Sequence, residues 1–321
     1  MKLASASVFI GACFVVAGLT IYPSDADAAY PDKPVKLIVG FGPGGPSDIG
    51  ARFLQRYFHE ITGQNLIIIN KPGGAGAHAW AEMNKHEPDG YTLTLMSLPH
   101  QILQPAVTPD TGYKADELNT ILVYTASPQL LVVPKASKIE TLQGFIQAAK
   151  EQPGVLTVGG AGAGGAANHA AFQRFRKVTG GEFVYIPFSD TASSMLAVKG
   201  SQVTASWTWS TQGSHDLDSV RLLGIASDER MKLFPDVPTL RESGIDIVEQ
   251  NWWGIGVPEG TPEELRRTIA ETFRKVAEHP EMLKQMTSAG FTPYLVEYEG
   301  IGKFEDWLTK TYEPVIELLK Q

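Results

Sequence analysis

The sequence predicts a two-lobed α/β fold in which each lobe is a doubly wound, mostly parallel sheet. Three observations predict it. Short apolar runs that suit buried strands alternate with segments of helical periodicity along most of the chain. Glycine-rich loops connect such a strand to the following helix at 40–48, 70–78 and 159–169. About 290 residues remain after an N-terminal leader, a length typical of about two domains.

The first 29 residues are interpreted as a signal peptide. Lys2 forms a thin basic region, residues 8–21 are mostly apolar, and Ala26-Asp27-Ala28 fits the small-x-small cleavage pattern. No later segment is long and apolar enough for a membrane span. We therefore expect an exported protein that is located in the periplasm after cleavage.

Composition excludes several classes of function. The chain has 27 basic and 35 acidic residues, and because the leader holds Lys2, Asp25 and Asp27, the mature chain has 26 and 33, a net charge of −7. This balance argues against nucleic acid or an anionic membrane as a partner. Cys13, the one cysteine, lies in the leader, so the mature chain has no disulfide, thiolate metal site or cysteine nucleophile. We expect no metal and no cofactor.

The first lobe is predicted to begin with a strand, a glycine turn and a helix. The apolar run 35–39 suits a buried strand, and the apolar residues between Ile49 and Ile61 recur at helical spacing. Ser47 is the expected N-cap, and Asp48 falls in the first turn, where the helix dipole favours negative charge. The pattern continues with a strand at 66–69, a helix at 79–85 and a strand at 91–95.

A break at Ala126-Ser127-Pro128 is interpreted as the crossing into the second lobe, with separate strands at 122–124 and 130–133. The second lobe is predicted to have helices at 141–150, 170–178 and 195–199 and strands at 156–158, 183–186, 202–207 and 221–226. We assign 30–126 and 251–321 to the first lobe and 127–250 to the second.

The C-terminal part is predicted to be helical. Thr261-Pro262-Glu263-Glu264 is typical of a capping box with proline at the first helical position, so a helix should run from there to about residue 278. Pro280 should begin another helix, which Gly290 ends. A last helix is predicted at 304–319, with a kink or division at Pro314.

The three glycine loops should converge at the carboxyl edges of the sheets and form a ligand site in the cleft. Helix N-termini there offer free backbone N–H groups, which favour an anion. One alternative is that these loops are tight turns that bind nothing. A second is a dinucleotide site, since residues 162–167 fit G-x-G-x-x-A and Glu182 follows Gly162 by twenty positions. Glu182 precedes its strand rather than ending it, which argues against that reading.

Catalytic motifs are missing from the sequence. It has no H-E-x-x-H and no G-x-S-x-G, so neither a metalloprotease nor a serine hydrolase has motif support. His169 is expected to cap or pack at a helix start. Trp207 and Trp209 are expected to line the cleft, whereas Trp252 and Trp253 are expected in core or hinge packing.

Several segments together resemble a known family, the Bug-type periplasmic solute-binding proteins of tripartite tricarboxylate transporters. The resemblance extends from Tyr30 to near the C-terminus and includes the glycine loop that ends at Asn168-His169. The segments that carry it are YPDKPVKLIVGFGPGGPSD (30–48), NKPGGAG (70–76), PDGYTL (88–93), FPDVPTLRESG (234–244) and WWGIGVPEGTP (252–262).

The resemblance implies a type II periplasmic-binding fold with two chain crossings, closing over a small organic carboxylate. It also implies membrane transporter subunits as partners, and we expect a monomer without catalytic activity. In the family, the first and third glycine loops hold a ligand carboxylate through backbone N–H groups, hydroxyls and waters. The ligand-binding residues predicted on this basis, with those expected nearby in the cleft, are Phe41, Gly44, Gly45, Ser47, Asp48, Gly162, Ala163, Gly164, His169, Ser189, Asp190 and Trp207.

The sequence departs from the family pattern at Pro46-Ser47, at Phe188-Ser189-Asp190 and at Thr204, where an aspartate is common. Asp190 would add negative charge near the cleft and the tryptophans would add aromatic surface. We therefore hypothesise a ligand other than a plain tricarboxylate, such as an aromatic acid or an acid with an amino group. Two other functions stay open: a ligand-sensing partner of a membrane receptor, and an exported α/β enzyme.

Overall fold

Two sheets that share one long strand form the framework of the computed structural model, which describes residues 30–320; the predicted signal peptide lies outside the described residues. The strands are β1 Val35–Val39, β2 Leu66–Asn70, β3 Thr92–Leu98, β4 Asn119–Pro134, β5 Thr157–Ala161, β6 Val184–Phe188, β7 Ala205–Trp209, β8 Val220–Ile225, β9 Gln250–Val257 and β10 Thr292–Val296. The α-helices are α1 Pro46–Thr62, α2 Ala77–Met83, α3 His100–Val107, α4 Leu142–Glu151, α5 Ala167–Thr179, α6 Thr191–Lys199, α7 Ser210–Gly213, α8 Glu263–Ala277, α9 Pro280–Ser288 and α10 Ile301–Leu319.

Each sheet has three parallel strands, as the alternation of strands and helices predicts. In the first, β2, β1 and β3 are parallel neighbours, and β9 then pairs antiparallel with β3 and with β4. In the second, β6, β5 and β7 are parallel, and β7 pairs antiparallel with β4. We call the part built on β1–β3 the first lobe and the part built on β5–β8 the second lobe. The two-lobed α/β prediction is confirmed.

The cores lie between these sheets and their helices. In the first lobe, the helical spacing of α1 places Leu54 and Phe58 on its buried face, against Phe273 of α8. In the second lobe, the core is aromatic, and Phe145 and Phe175 pack around Trp207 of β7. Both sets of helices therefore fix the strand ends, from which the glycine-rich loops start.

The predicted break at Ala126-Ser127-Pro128 is wrong, because β4 is one continuous strand of 16 residues. Proline lacks a backbone donor, yet Pro128 lies where β4 changes its partner: it pairs with Gln250 of β9, and Gln129 already pairs with Trp209 of β7. A strand can tolerate a missing N–H at such a changeover. The crossing between sheets is thus made without a loop.

The starts of α1 and α8 differ from the prediction. Gly45, rather than Ser47, is the N-cap of α1, with Pro46 at the first helical position. The helix after Thr261 begins at Glu263, and the Thr261 hydroxyl donates to the Pro258 carbonyl instead of capping. The last helix, α10, continues through Pro314. Among residues 30–320, no helix is both long and apolar enough to span a membrane.

Among the elements that the sequence analysis did not predict are the helix α3 and the strand β10. Both are short, and α3 contains Pro105, which argues against a helix by composition alone. The α3 helix begins directly at the carboxyl end of β3, so it contributes to the cleft edge.

Candidate functional site

A cavity of about 460 Å³ lies between the two lobes, at the carboxyl ends of their parallel strands. First-lobe residues of the wall come from the loops 40–47 and 72–75 and from Ser97 and His100. The second lobe contributes Ala161, Gly162, Ala166, Asn168, Trp209 and the segment 189–192, and Asn251 and Trp253 come from β9. The convergence of glycine-rich loops expected from the sequence therefore occurs around one cavity.

The N-terminus of α1 forms part of this wall. Ile49 is the first residue of the helix whose N–H has a helical acceptor, the Gly45 carbonyl. Pro46 has no N–H, so the amides of Ser47 and Asp48 are left without an intrahelical partner. The positive end of the helix dipole is thus at the cavity, as an anion site requires.

Asp48 shapes the first loop and does not line the cavity. Its buried carboxylate accepts hydrogen bonds from the Gly44 amide at 2.9 Å, from Arg52 Nε at 2.8 Å and from Asn70 Nδ2 at 3.0 Å. Burial alone would raise the pKa of Asp48, but these hydrogen bonds outweigh it and hold the pKa below its usual value. The Gly44 amide, predicted to hold the ligand, is already used by this carboxylate.

Trp253 is buried in the first-lobe core, as the sequence predicts, and it also forms part of the cavity wall. Its indole Nε1 donates to the Ser47 hydroxyl at 2.8 Å, and its ring contacts Phe291 at a centroid distance of 5.5 Å. Ser47 lines the cavity too, so the two side chains brace the start of α1.

His100 connects the two lobes at the base of the cavity. Its Nε2 accepts from the Ala167 amide at the start of α5, at 3.4 Å, and its Nδ1 lies 3.0 Å from the Asn251 side-chain amide. The ring also packs edge-on against Phe41, with centroids 5.6 Å apart. Burial lowers the pKa of His100 to about 4, so the ring is neutral at physiological pH.

Sequence reasoning missed His100, although a signal exists. It lies two residues after the end of β3, and polar residues just after the carboxyl end of a parallel strand lie at the cleft. The same rule selected the glycine loops.

The third glycine loop contributes less of the cavity wall than expected. Gly162 lines the cavity, whereas Ala163 and Gly164 are exposed and are not part of the wall. His169 lies 3.1 Å, through Nδ1, from the Gly164 carbonyl and packs on Tyr185, which agrees with a capping and packing role. The buried Asn168, one residue earlier, lines the cavity instead.

Asn168 is fixed from two directions. Its Nδ2 donates to Gln129 Oε1 at 3.1 Å and to the Trp207 carbonyl at 3.3 Å. These contacts join α5 to β4 and β7, so the amide side chain has a defined orientation at the cavity wall.

Ser189 and Asp190 both line the cavity, at the start of α6. Asp190 is the N-cap: Oδ1 accepts from the Ser193 amide at 2.7 Å and Oδ2 from the Ser189 hydroxyl at 2.9 Å. The hydrogen bond from the Ser193 amide is the main cause that lowers the pKa of Asp190. The carboxylate is therefore ionised at neutral pH.

Trp207 lies in the second-lobe core, and Trp209 takes the place at the cavity that the sequence suggested for both. The two residues face the same side of β7 because strand side chains alternate. Helix α5 covers Trp207, which contacts Phe175 at 5.4 Å, whereas Trp209 ends the strand and reaches His100 at 6.4 Å.

The described side chains of the cavity wall carry one negative charge and no positive charge. Of the described residues that line it, Asp190 alone has an ionised side chain, and neither lysine nor arginine is among them. No cluster of histidine and acidic residues suited to a metal ion occurs within residues 30–320. Any anion held here must be bound by backbone amides and neutral polar groups.

Comparison with known proteins agrees with this geometry. The sequence model described as "Tripartite tricarboxylate transporter family receptor" matches residues 50–320. A Cupriavidus necator protein, described as "UPF0065 protein in gbd 5'region", is 32% identical over 317 residues, which is 97% of this chain and 95% of that protein.

Solved structures of periplasmic solute-binding proteins are also similar to this chain. A TctC solute-binding protein from Polaromonas is 27% identical with a TM-score of 0.70, over 90% of this chain and 99% of that one. A Rhodopseudomonas palustris protein solved with adipate has a TM-score of 0.84 at 22% identity, over 90% and 98% of the two chains, and shows the shared fold. The family consists of periplasmic solute-binding receptors and is not a family of enzymes. The chain belongs to the receptor family of the tripartite tricarboxylate transporters.

Proposed function

We propose that the mature chain captures a small organic carboxylate in the cavity between its lobes and delivers it to the membrane subunits of its transporter. The observation that carries the proposal is one inter-lobe cavity at which the helices α1, α5 and α6 all begin, with no basic side chain in its wall. Helix N-termini bind carboxylates without an arginine clamp. The bound adipate of the R. palustris structure supports the same class of ligand.

The proposed contacts combine predicted and newly found residues. From the sequence prediction we retain Phe41, Gly45, Ser47, Gly162 and Ser189, all of which line the cavity. To these the geometry adds the neutral polar groups Ser97, His100, Asn168 and Asn251. Asp48 and His169 act by shaping the two loops.

The proposal includes cleavage of residues 1–29 on export, a monomeric receptor and no catalytic turnover of the ligand. A ligand-sensing role for a membrane receptor would use the same cavity and differ in its partner. Uptake separates the two roles. Deleting the gene should abolish uptake of the ligand if the protein serves transport, and should leave uptake intact if it serves sensing alone.

Isothermal titration calorimetry of the mature chain against aliphatic and aromatic carboxylates tests the ligand class. We expect saturable binding of one carboxylate per chain and a rise in melting temperature that follows mass action. Matched primary amides of the same acids serve as controls, because they keep the shape and lose the charge. Binding of the amides but none of the acids would contradict the carboxylate assignment and leave the family membership intact.

A further inference from the structure

The charge of the cavity wall limits what the far end of a ligand can carry. Asp190 contributes one negative charge, and His100 is neutral. The nearest cations along the chain from the lining loops, Arg52 and Lys71, are each paired with a carboxylate, of Asp48 and Glu82 respectively. No basic group of the described lining residues is free to balance a second carboxylate.

Asp190 also changes the role of α6. A helix N-terminus normally attracts an anion. At α6 the Asp190 carboxylate already occupies that position, because it accepts a hydrogen bond from the Ser193 amide. Among the three helices that begin at the cavity, the positive end of the α6 dipole is thus already neutralised. At α5, the Ala167 amide is taken by His100. The start of α1, where the amides of Ser47 and Asp48 have no intrahelical partner, is left as a site for a ligand carboxylate.

Part of the remaining wall is aromatic. Phe41 and the indoles of Trp209 and Trp253 lie around the cavity, and the Trp253 N–H is already bonded to Ser47. Rings of this kind favour an apolar body and attract a cation over their faces. The ring faces accept no hydrogen bond from, and donate none to, a second carboxylate, so they do not offset its desolvation.

We propose that this receptor selects monocarboxylates whose far end is uncharged or cationic, and discriminates against dicarboxylates and tricarboxylates. The inference rests on the proposed function, since it assumes that one carboxylate is bound at the start of α1. A second carboxylate meets Asp190 and aromatic rings in a cavity of about 460 Å³. An ammonium group at the same end meets an acceptor.

Two ligand series that differ at the far end alone provide the test. The first is adipate, hexanoate and 6-aminohexanoate, and the second is terephthalate, benzoate and 4-(aminomethyl)benzoate. Calorimetry at pH 7.5 should show, in at least one series, that the monocarboxylate and its amino derivative bind more tightly than the dicarboxylate. Because Asp190 is exposed to solvent, we expect an effect of about fivefold for its charge.

The Asp190→Asn variant assigns the effect to this residue, since asparagine is as good an N-cap and keeps the shape. In this variant, the ratio of the dicarboxylate Kd to the monocarboxylate Kd should fall by about fivefold. The amino derivative should bind more weakly than it does to the wild-type chain. Glu182→Gln, an exposed acid of the same lobe outside the cavity wall, removes the same charge and should change nothing.

Each other outcome has a separate meaning. Tighter binding of the dicarboxylate by the wild-type chain would overturn the inference and leave the proposed function standing. If no acid of either series binds, the carboxylate assignment fails and the inference fails with it. An unchanged ratio in Asp190→Asn would overturn the role of this residue.

Discussion

At the scale of single residues, Asp48 determines the shape of the first ligand loop. Its carboxylate accepts three hydrogen bonds, from Gly44, Arg52 and Asn70, while nearly fully buried. Replacing it by asparagine leaves donors facing donors, so Asp48→Asn should lower the free energy of unfolding by about 1–3 kcal/mol. Urea denaturation at pH 7 measures this. Asp190→Asn, which keeps its cap, serves as the control and should change it by less than about 0.5 kcal/mol.

The pH dependence of this difference follows from the lowered pKa of Asp48. A carboxyl whose pKa is lower in the folded state stabilises the fold above the unfolded pKa of about 4. The contribution is lost as the pH falls through the lowered folded value. Wild type and Asp48→Asn should therefore converge in stability in strong acid. A difference that stays constant down to pH 2 would contradict the ionic role of Asp48.

His100 gives a pH dependence at milder pH. Its pKa is about 4 in the folded chain, because of burial, and about 6.5 in the unfolded chain. Between these values the unfolded chain binds more protons, so stability should rise with pH across this window. At pH 5 the loss relative to pH 7 should be about 2 kcal/mol from this residue.

Other groups titrate in the same range, so the measurement needs a reference. The buried carboxyl of Glu305, whose pKa is raised to about 7, contributes with the opposite sign. The slope of stability between pH 5 and pH 7 should therefore be compared between wild type and His100→Gln. Glutamine does not titrate, and the slope should flatten or reverse. Identical slopes would show that His100 is already protonated or exposed.

These residues also show which parts of the site the sequence can predict. Glycine turns between a strand and a helix are visible locally, so the sequence could predict that the loops 40–48 and 159–169 meet at a cavity. Asn251 and Trp253 reach the cavity from a strand that lies about 200 positions from Ser47 in the chain, and no local pattern reports such a contact. Trp207 and Trp209 share one side of their strand, and the helix above decides which of them is covered.

At the scale of elements, the third glycine loop packs directly on the backbone of α3. A Cβ atom on Gly165 would lie 2.8 Å from the Leu103 carbonyl oxygen and 2.9 Å from the Cα of Gln104. The backbone of Gly165 is not in the left-handed region, so alanine is strained there by this contact and not by its own φ. The glycine thus permits the two lobes to meet at this point.

Gly165→Ala should act as a wedge between the lobes. Overpacking of this kind typically costs about 1–3 kcal/mol, so ligand affinity should fall about tenfold or more if binding requires the close arrangement. Calorimetry measures the affinity. Gly302→Ala in α10, where an added Cβ meets no atom within 4 Å, is the matched control and should bind normally. Unchanged affinity in Gly165→Ala would show that this contact does not limit closure.

At the scale of the whole molecule, α5 of the second lobe is attached to the first lobe. Ala170 packs in the same cluster as Tyr312 of α10. Glu249, buried just before β9, accepts from Arg174 of α5 and from the Tyr312 hydroxyl, both at 2.5 Å. Burial raises the pKa of Glu249, and its two partners counteract this effect. Together with the shared strand β4, these contacts connect the two lobes along α5 and α10, and we expect the pivot of a closing motion there.

We expect the movement on the opposite side of the cavity. Among the described residues, no hydrogen bond joins the segment 189–192 to the first lobe, although that segment and the loop 72–75 both line the cavity. The fold class, visible in the alternation of strands and helices, does not reveal this asymmetry. The asymmetry depends on the ion pair of Arg174 with Glu249 and on the hydrogen bond from Tyr312 to Glu249, and these residues are far apart in the sequence.

Ligand-driven closure should therefore shorten distances across the open side and leave the pivot unchanged. The predicted mature chain has no cysteine, so introduced pairs can be spin-labelled without background. We expect the pair His78→Cys and Leu196→Cys, in α2 and α6, to approach by several ångströms when ligand binds, as in hinge closure. The pair Lys177→Cys and Glu313→Cys, in α5 and α10, is the control and should keep its distance. Equal changes in both pairs would place the hinge elsewhere, and no change in either would mean that the receptor binds its ligand without closing.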